Sequence, residues 1–152
     1  MELDEKDRKL IQLLQEDCKK TTKAYADQLE LSKTAVYERI RRLERTGVIT
    51  KYVALMDKKK IGRDFTVLCH IRLVQHTKEN VLLFEREILK LKEVSECFHV
   101  SGDYDYILKV NVKNMESYRD FMVTKLTAIS NIGSTQSSFS IKEVRYSTSV
   151  YI

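Results

Sequence analysis

Residues 29–49, LELSKTAVYERIRRLERTGVI, have the pattern of a short turn followed by a basic amphipathic helix. Ser32 is a good N-cap residue, and Gly47 is a typical helix terminator. The apolar residues recur at helical spacing in one narrow stripe: Ala35, Val36, Ile40 and Leu43. Such a helix can bury one face and present hydroxyl, phenol and guanidinium groups to a DNA major groove. A solvated basic helix of any small domain has the same pattern, so the flanking segments decide between the two.

The positive charge of the chain is concentrated around this helix. Most of the net charge of +5 lies in the first 60 residues, and residues 32–51 contain six basic and two acidic side chains. A local basic patch is the electrostatic footprint expected of a protein that binds duplex DNA. The partner predicted from these residues is therefore double-stranded DNA.

Three helices and a strand pair are predicted for the first 62 residues. Asp4 begins a capping pattern for a helix over residues 5–17, and Thr21 or Thr22 opens a second helix. After the basic helix, ITKYVALMD is β-rich, and DKKKIG reads as a turn. This order predicts a winged helix-turn-helix domain over residues 1–62, with Lys51 and Lys58–Lys60 as phosphate-contacting wing residues or as a solvated turn.

Residues 63–152 have a different pattern, with strands at 65–74, 94–101, 106–112 and 137–146 and helices at 81–92 and 115–126. This βαββαβ order predicts a ferredoxin-like domain, so the fold class is α+β. Residues 65–74 are apolar at nearly every position, as expected of a strand that is buried on both faces. Helices can cover only one face of so small a sheet. We therefore expect the other face to pack against a second copy, giving a homodimer.

The remaining composition points to a cytoplasmic protein that binds no metal or cofactor. The charged start MELDEKDRK predicts neither a signal peptide nor a membrane span. Widely spaced Cys18, Cys69 and Cys97 predict reduced thiols. The strands that carry Cys69-His70 and Cys97/His99 are separated by a third strand in the ferredoxin-like order, so these residues and His76 are expected to pack rather than to bind a metal.

The whole chain resembles the leucine-responsive regulatory protein/AsnC ("feast/famine") family of transcription regulators. Three segments carry the resemblance: LDEKDRKLIQLLQED, LSKTAVYERIRRLERTGVI and SGDYDYILKV, the last with the Gly-x-Tyr-Asp signature at Gly102, Tyr104 and Asp105. Glu30 departs from the family pattern, which commonly has Gly in the turn before the recognition helix. A non-Gly residue there strains the backbone or shifts the turn.

The resemblance implies sequence-specific DNA binding, dimers that assemble further, often to octamers, and control by a free amino acid bound between dimers. The predicted DNA-binding residues are Ser32, Lys33, Thr34, Tyr37, Glu38, Arg41, Arg42 and Arg45. Arg39 and Arg42 could instead form ion pairs with Glu38 or Glu44 inside the domain.

The predicted effector-binding residues come from two segments, the turn at 102–105 and the last strand. They are Gly102, Asp103, Tyr104, Asp105, Thr135, Gln136, Ser137 and Ser138. Asp103 or Asp105 could receive an α-ammonium group, while N–H and O–H groups receive an α-carboxylate. The alternative is that Gly102 and the aspartates only shape a β-turn.

Catalysis is not expected, because the sequence contains no nucleophile–base set and no glycine-rich phosphate loop. Two other functions stay open. One is a nucleoid-organising protein that binds DNA without an effector. The other is a small-molecule-binding enzyme built on the ferredoxin-like domain, since fold does not decide function.

Overall fold

The computed structural model describes residues 2–152. Their contacts form two compact units. The first unit runs to Leu55 and also contains the C-terminal segment Val144–Ile152, whereas the second unit is Met56–Glu143. The sequence predicts a boundary after residue 62 and leaves the whole C-terminus in the second domain, so the observed units differ from it in both respects. Among the described residues, no helix has the length and apolarity that a membrane span requires.

Three capped helices build the first unit: α1 (Glu5–Glu16), α2 (Thr22–Leu29) and α3 (Lys33–Arg45). Their N-caps are the predicted residues Asp4, Thr21 and Ser32. At α1 the capping is reciprocal. Asp4 Oδ1 accepts the Asp7 N–H at 2.7 Å, and Asp7 Oδ2 accepts the Asp4 N–H at 3.2 Å. The buried side chains that join the helices are Leu10, Leu13, Tyr25, Ala26, Leu29, Val36 and Leu43.

The predicted wing is absent from the part of the chain that the structure describes. Residues 50–56 form no strand, and residues 58–62 form a turn. An extended segment becomes a strand only when its N–H and C=O groups pair with a neighbouring strand. Tyr52, Val53 and Leu55 instead lie about half exposed. The structure therefore contains the helix-turn-helix without the strand pair.

The C-terminal segment is held against α1 by one glutamine. Gln15 Nε2 donates to the Val150 carbonyl at 2.9 Å, and Gln15 Oε1 accepts the Val150 N–H at 2.6 Å. The side-chain amide thus pairs with both backbone groups of one residue, as a neighbouring strand would. A mainly apolar groove of about 830 Å³ is lined by α1, residues 48–55 and this segment.

The second unit is a four-stranded antiparallel sheet with helices on one face. Its elements are β1 (Phe65–Leu73), α4 (Lys78–Ile88), β2 (Val94–His99), β3 (Tyr106–Val112), α5 (Met115–Phe121) with a π-helical turn Met122–Leu126, and β4 (Ile132–Phe139). The spatial order β2-β3-β1-β4 is that of the predicted ferredoxin-like domain. Phe84, Ile88, Tyr118 and Phe121 of the helices join the inner sides of the strands in one core.

The face of the sheet away from this core, called the open face below, is less apolar than predicted. Along β1, Val67, Cys69 and Ile71 are fully buried, so the alternating positions Thr66, Leu68, His70 and Arg72 belong to the open face. Among these four only Leu68 is apolar. The strand therefore alternates, and the prediction of a strand that is apolar on both faces is corrected by the structure.

The last strand begins and ends earlier than predicted. β4 covers Ile132–Phe139, whereas the sequence pattern favours residues 137–146. Pairing with β1 explains the difference, because the ladder runs from Leu73 opposite Ile132 to Val67 opposite Phe139. Beyond it Ile141 and Val144 are almost fully exposed. Their strand-like alternation therefore has no partner strand within the described residues.

Candidate functional site

Helix α3 presents a continuous ridge of exposed polar side chains. Lys33, Tyr37, Arg41 and Arg45 follow one another at four-residue spacing and are all exposed. Residues four apart lie on the same side of a helix, so these side chains form one row, called the α3 ridge below. The exposed residues beside it are Ser32, Thr34 and Glu38. Ser32 also accepts the Ala35 N–H at 3.1 Å, which fixes the start of the helix.

Arg39 and Arg42 form ion pairs with Asp4 and Asp7 at the start of α1, and not with Glu38 or Glu44, the alternative partners considered from the sequence. Arg39 Nη1 lies 2.7 Å from Asp4 Oδ2 and 2.6 Å from Asp7 Oδ1, and Arg42 Nη2 lies 2.5 Å from Asp7 Oδ2. The hydrogen bond from Arg39 holds the pKa of the Asp4 carboxyl below its ordinary value. Arg42, a predicted DNA-binding residue, therefore belongs to an ion-pair network that holds α3 against α1.

Asp7 is the centre of this network and was missed by the sequence analysis as a site residue. Its side chain is 1% exposed, and it receives both arginines in addition to closing the α1 capping box. A buried carboxylate is tolerated only when such partners compensate its lost hydration. The only sequence signal was the capping pattern itself, which says nothing about α3.

The Arg41 side chain remains mostly exposed to solvent. It is 64% exposed and forms an ion pair with Glu44, with Nη1 3.3 Å from Oε2. Glu44 Oε1 in turn accepts the Tyr52 hydroxyl at 3.0 Å. Burial, followed by this hydrogen bond, raises the pKa of Tyr52 to about 12. The Arg41 guanidinium in the middle of the ridge can thus reach a base edge after giving up one exposed ion pair, whose strength is small.

The four lysines proposed for the wing are not grouped in a wing. Lys51 is an exposed residue of the first unit, whereas Lys58–Lys60 belong to the second. Lys58 Nζ lies 2.7 Å from Glu143 Oε1, and the N–H groups of Lys59 and Lys60 bond to Asp57. These lysines therefore give no common phosphate-binding surface within one unit.

The turn at 102–105 is anchored to the end of β1. The Asp105 N–H donates to the Ile71 carbonyl at 2.9 Å, and the Val100 N–H donates to the Asp105 carbonyl at 2.8 Å. Gly102 has a φ of +120°, which side-chain-bearing residues rarely adopt. This position explains why the turn requires glycine.

Asp105 is the more enclosed of the two predicted ammonium-binding carboxylates. Oδ2 accepts the Leu73 N–H at 2.7 Å, and Oδ1 lies 2.9 Å from His76 Nε2. Burial opposes ionisation, but these two contacts outweigh it and hold the pKa of the Asp105 carboxyl below its ordinary value. Asp103 is exposed, and its carbonyl accepts Arg72 Nε at 2.9 Å.

A second group of predicted residues meets on the open face. The Tyr104 hydroxyl donates to Gln136 Oε1, and the Gln136 carbonyl is 3.3 Å from His70 Nδ1. The Arg72 guanidinium lies 5.7 Å from the centre of the Tyr104 ring. Tyr104 and Gln136 are therefore brought together, with His70 and Arg72 as neighbours that sequence reasoning did not include. The alternation of side chains between the two faces of β1 could have indicated both His70 and Arg72.

Thr135 and Ser137 point away from this group. They pair with Ile71 and Cys69, whose side chains lie in the core, whereas Gln136 and Ser138 pair with open-face residues. The Ser137 hydroxyl is 2.5 Å from that of Tyr118, so it is used inside the unit. The four predicted effector residues of β4 thus divide between the two faces of the sheet, and the other four lie in the turn at 102–105.

The cysteines and histidines are dispersed. Within residues 2–152 no group of three potential ligands could hold a metal ion. Cys69 is buried, and burial raises the pKa of its thiol. His99 stacks on Tyr106 with ring centres 4.5 Å apart.

Comparison with known families gives two matches that together cover most of the chain. Residues 3–44 match the AsnC-type helix-turn-helix domain, and residues 66–150 match the Lrp/AsnC ligand binding domain. The DNA-binding transcriptional activator DecR of Escherichia coli K12 is 33% identical over 150 residues, which is 99% of each chain.

Two solved structures are similar over nearly the full length. An AsnC family transcriptional regulator from Agrobacterium tumefaciens has a TM-score of 0.94 and 33% identity, covering 97% of this chain and 96% of that one. A transcriptional regulator from Neisseria meningitidis, solved as a complex with L-Met, has a TM-score of 0.93 and 27% identity, covering 98% and 96%. The fold and the order of the two domains are therefore shared along the whole chain.

Proposed function

The chain belongs to the Lrp/AsnC family of DNA-binding transcriptional regulators, and we propose that its α3 ridge reads the operator while its second unit binds a free amino acid. The observation that carries the first part is the ridge itself. Four exposed side chains are aligned on a capped helix that buried ion pairs fix to α1. A rigid helix with such a row can present its groups to base edges without ordering its backbone, so that only the side chains lose conformational freedom.

Roles along the ridge follow from chemistry and exposure. Tyr37 and Arg41 project from the middle of the helix and are assigned to base edges, since guanidinium pairs well with guanine and a phenyl ring with a thymine methyl. The residues assigned to phosphates are Ser32, Lys33, Thr34 and Arg45. Glu38 lies beside the ridge and can accept from a cytosine amino group. Arg42 is assigned to the ion-pair network with Asp7.

The test of base reading is Arg41→Ala. A good bidentate contact contributes roughly 1–3 kcal/mol, so affinity for a duplex selected from a random library should fall about 5- to 150-fold. Affinity for random-sequence duplex should fall far less. Fluorescence anisotropy on both duplexes measures the two losses. Arg119→Ala, an exposed arginine of the second unit, is the matched control and should leave both affinities unchanged. Equal losses on the two duplexes would show that Arg41 contacts phosphate only.

An amino-acid effector is supported by two observations on the second unit. Asp105 offers an ionised carboxylate at the sheet end, and the Arg72 guanidinium, which contacts the Asp103 carbonyl in the adjoining turn, offers N–H groups. A zwitterion needs an anion for its ammonium and donors for its carboxylate. The similar N. meningitidis regulator was solved with L-Met, which supports a ligand of this class.

The effector proposal is tested by thermal unfolding of the full chain with each of the twenty amino acids. A ligand that binds only the folded state raises its stability, by about 2.7 kcal/mol at a concentration 100 times its Kd. We expect at least one amino acid to raise the Tm, and its N-acetyl derivative, which lacks the ammonium, to have no effect. If none of the twenty raises the Tm, the effector proposal is wrong.

Assembly completes the proposal. Leu68, Phe98 and Ile107 give the open face an apolar centre around a shallow depression of about 300 Å³. Leu68 is 41% and Phe98 52% exposed in the single chain, and burial of this patch against a second copy would make a homodimer. An octamer of such dimers, which the family resemblance implies, stays a prediction.

A further inference from the structure

His76 lies over the carboxylate that the proposed effector would need. Its Nε2 is 2.9 Å from Asp105 Oδ1, while the other oxygen of that carboxylate accepts the Leu73 N–H. The His76 side chain is 59% exposed and that of Asp105 only 20% exposed. The imidazole is thus on the solvent side of the pair. A solute that approaches Asp105 Oδ1 from that side meets His76 first.

The backbone on both sides of His76 is fixed, so only its side chain can move easily. Asn131 Oδ1 accepts the Gln75 N–H at 2.9 Å and Asn131 Nδ2 donates to the Gln75 carbonyl at 2.8 Å. On the other side, Thr77 caps α4 by accepting the Asn80 N–H at 3.3 Å. An exposed side chain changes rotamer in picoseconds to nanoseconds without any backbone motion. His76 can therefore leave Asp105 at little structural cost.

We propose that His76 is a side-chain gate on Asp105, which an amino-acid ammonium displaces when it binds. This inference rests on the proposed effector function and adds a residue and a regulation to it. The His76 imidazole and the ammonium group of an amino acid both donate N–H hydrogen bonds, so they compete for Asp105 Oδ1. In the ligand-free protein, the gate keeps an enclosed carboxylate hydrogen-bonded. Affinity for the amino acid is then lower by the strength of the His76–Asp105 contact.

The gate makes effector binding depend on pH. An imidazolium at His76 would form an ion pair with the Asp105 carboxylate, whereas an uncharged imidazole can only donate a hydrogen bond to it, so the charged form holds Asp105 more strongly. The elements around this contact carry further ionisable side chains: Cys69, His70 and Arg72 on β1, Lys78, Glu79, Glu85, Arg86 and Glu87 on α4, Glu96, Cys97 and His99 on β2, and Asp103 and Tyr104 in the turn. The lowered pKa of the Asp105 carboxyl keeps it ionised from pH 6 to 8. The ammonium group of the ligand is charged over the same range. Affinity should therefore rise as the pH increases from 6 to 8.

The experiment is isothermal titration calorimetry of the full chain with L-methionine, and with the amino acid that gives the largest Tm increase, at pH 6 and pH 8. For the wild type we expect a Kd several-fold higher at pH 6. His76→Ala should bind more tightly, about three- to tenfold at pH 6, with nearly equal Kd at the two pH values. His76→Gln retains a neutral donor and should be independent of pH as well, with intermediate affinity. His99→Gln, which removes the other histidine near Asp105, should behave like the wild type.

The outcomes separate the gate from the effector function. If the wild type binds and His76→Ala binds no more tightly or keeps the pH dependence, the gate is wrong and the effector proposal stands. If neither protein binds any amino acid, both fail. Binding by His76→Ala alone would support a gate that is closed in the wild type. Asp105→Asn should abolish binding in both backgrounds, and retained binding would overturn the competition for Asp105.

Discussion

Glu30 shows how a single residue carries strain at the turn before the recognition helix. Its φ of 55° and ψ of 47° are left-handed, a conformation that costs a residue with a side chain about 1–2 kcal/mol. The Leu31 N–H donates to the Ala26 carbonyl at 3.0 Å, and Lys6 Nζ donates to the Leu29 carbonyl at 2.6 Å. These contacts satisfy carbonyls at the end of α2 and hold the strained turn in place. The strain predicted from the departure at Glu30 is confirmed.

Replacing Glu30 with glycine should relieve this strain. Glycine adopts a positive φ without a steric penalty, although it also loses more backbone entropy on folding. We expect Glu30→Gly to stabilise α2 and α3 by about 0.5–1 kcal/mol, measured by hydrogen exchange of their amides. The matched control is Glu38→Gly in the right-handed interior of α3, which should lower the same protection by about 1 kcal/mol. Lower protection in both variants would contradict a strained turn.

At the level of elements, the start of α1 and the middle of α3 form one structural device. Asp4 and Asp7 cap α1 and also receive Arg39 and Arg42 from α3. The same two carboxylates therefore cap the N-terminus of α1 and orient α3. Loss of either guanidinium would leave Asp7 buried with fewer partners, which is the condition that destabilises a buried charge. The orientation of the α3 ridge thus depends on two acidic residues outside α3, the exposed Asp4 and the buried Asp7.

The two faces of the sheet in the second unit carry different polar contacts. Along β4, Ser137 contributes its hydroxyl to Tyr118 on the core side, while Gln136 contributes its amide to Tyr104 on the open face. Alternation of side chains along a strand requires this division. A run of hydroxyl residues along one strand can therefore place only half of its members on the face of a proposed effector site.

At the scale of the whole molecule, the open face is the surface that we propose joins copies of the chain. The two candidate dimer anchors Leu68 and Phe98 belong to different strands, β1 and β2, with Ile107 of β3 between them. Polar pairs surround them, including Lys109 Nζ with Glu96 Oε1 at 2.8 Å. An apolar centre with a polar rim is the anatomy of a specific protein interface.

We predict that Leu68→Asp converts the protein to a monomer of 17.9 kDa, because it places a charge at the centre of the buried patch. Sedimentation velocity at micromolar concentration should show a dimer or larger species for the wild type. Leu89→Asp is the control, since Leu89 is 84% exposed at the end of α4 and outside the open face. Unchanged sedimentation of Leu68→Asp, or a monomeric wild type, would contradict the proposed interface.

The sequence by itself determined the three capped helices of the first unit and the order of the elements in the second. N-caps at Asp4, Thr21 and Ser32, the apolar spacing of α3 and the βαββαβ order all depend on residues a few positions apart. Local spacing fixes which backbone groups and which side-chain faces are available, so these features can be read along the chain. The glycine at position 102 and the strain at position 30 belong to the same class, because each depends on one residue's own φ.

Only the tertiary structure decided which distant groups meet. Asp7 and Arg42 are 35 residues apart, Asp105 and His76 are 29 apart, and Gln15 and Val150 are 135 apart. The same holds for residues 50–56 and 140–146, whose strand-like patterns found no partner strand among the described residues. Pairing and burial depend on how elements pack. For one charged or extended residue, the local sequence favours many possible partners equally. Packing selects among them, and no local pattern records that choice.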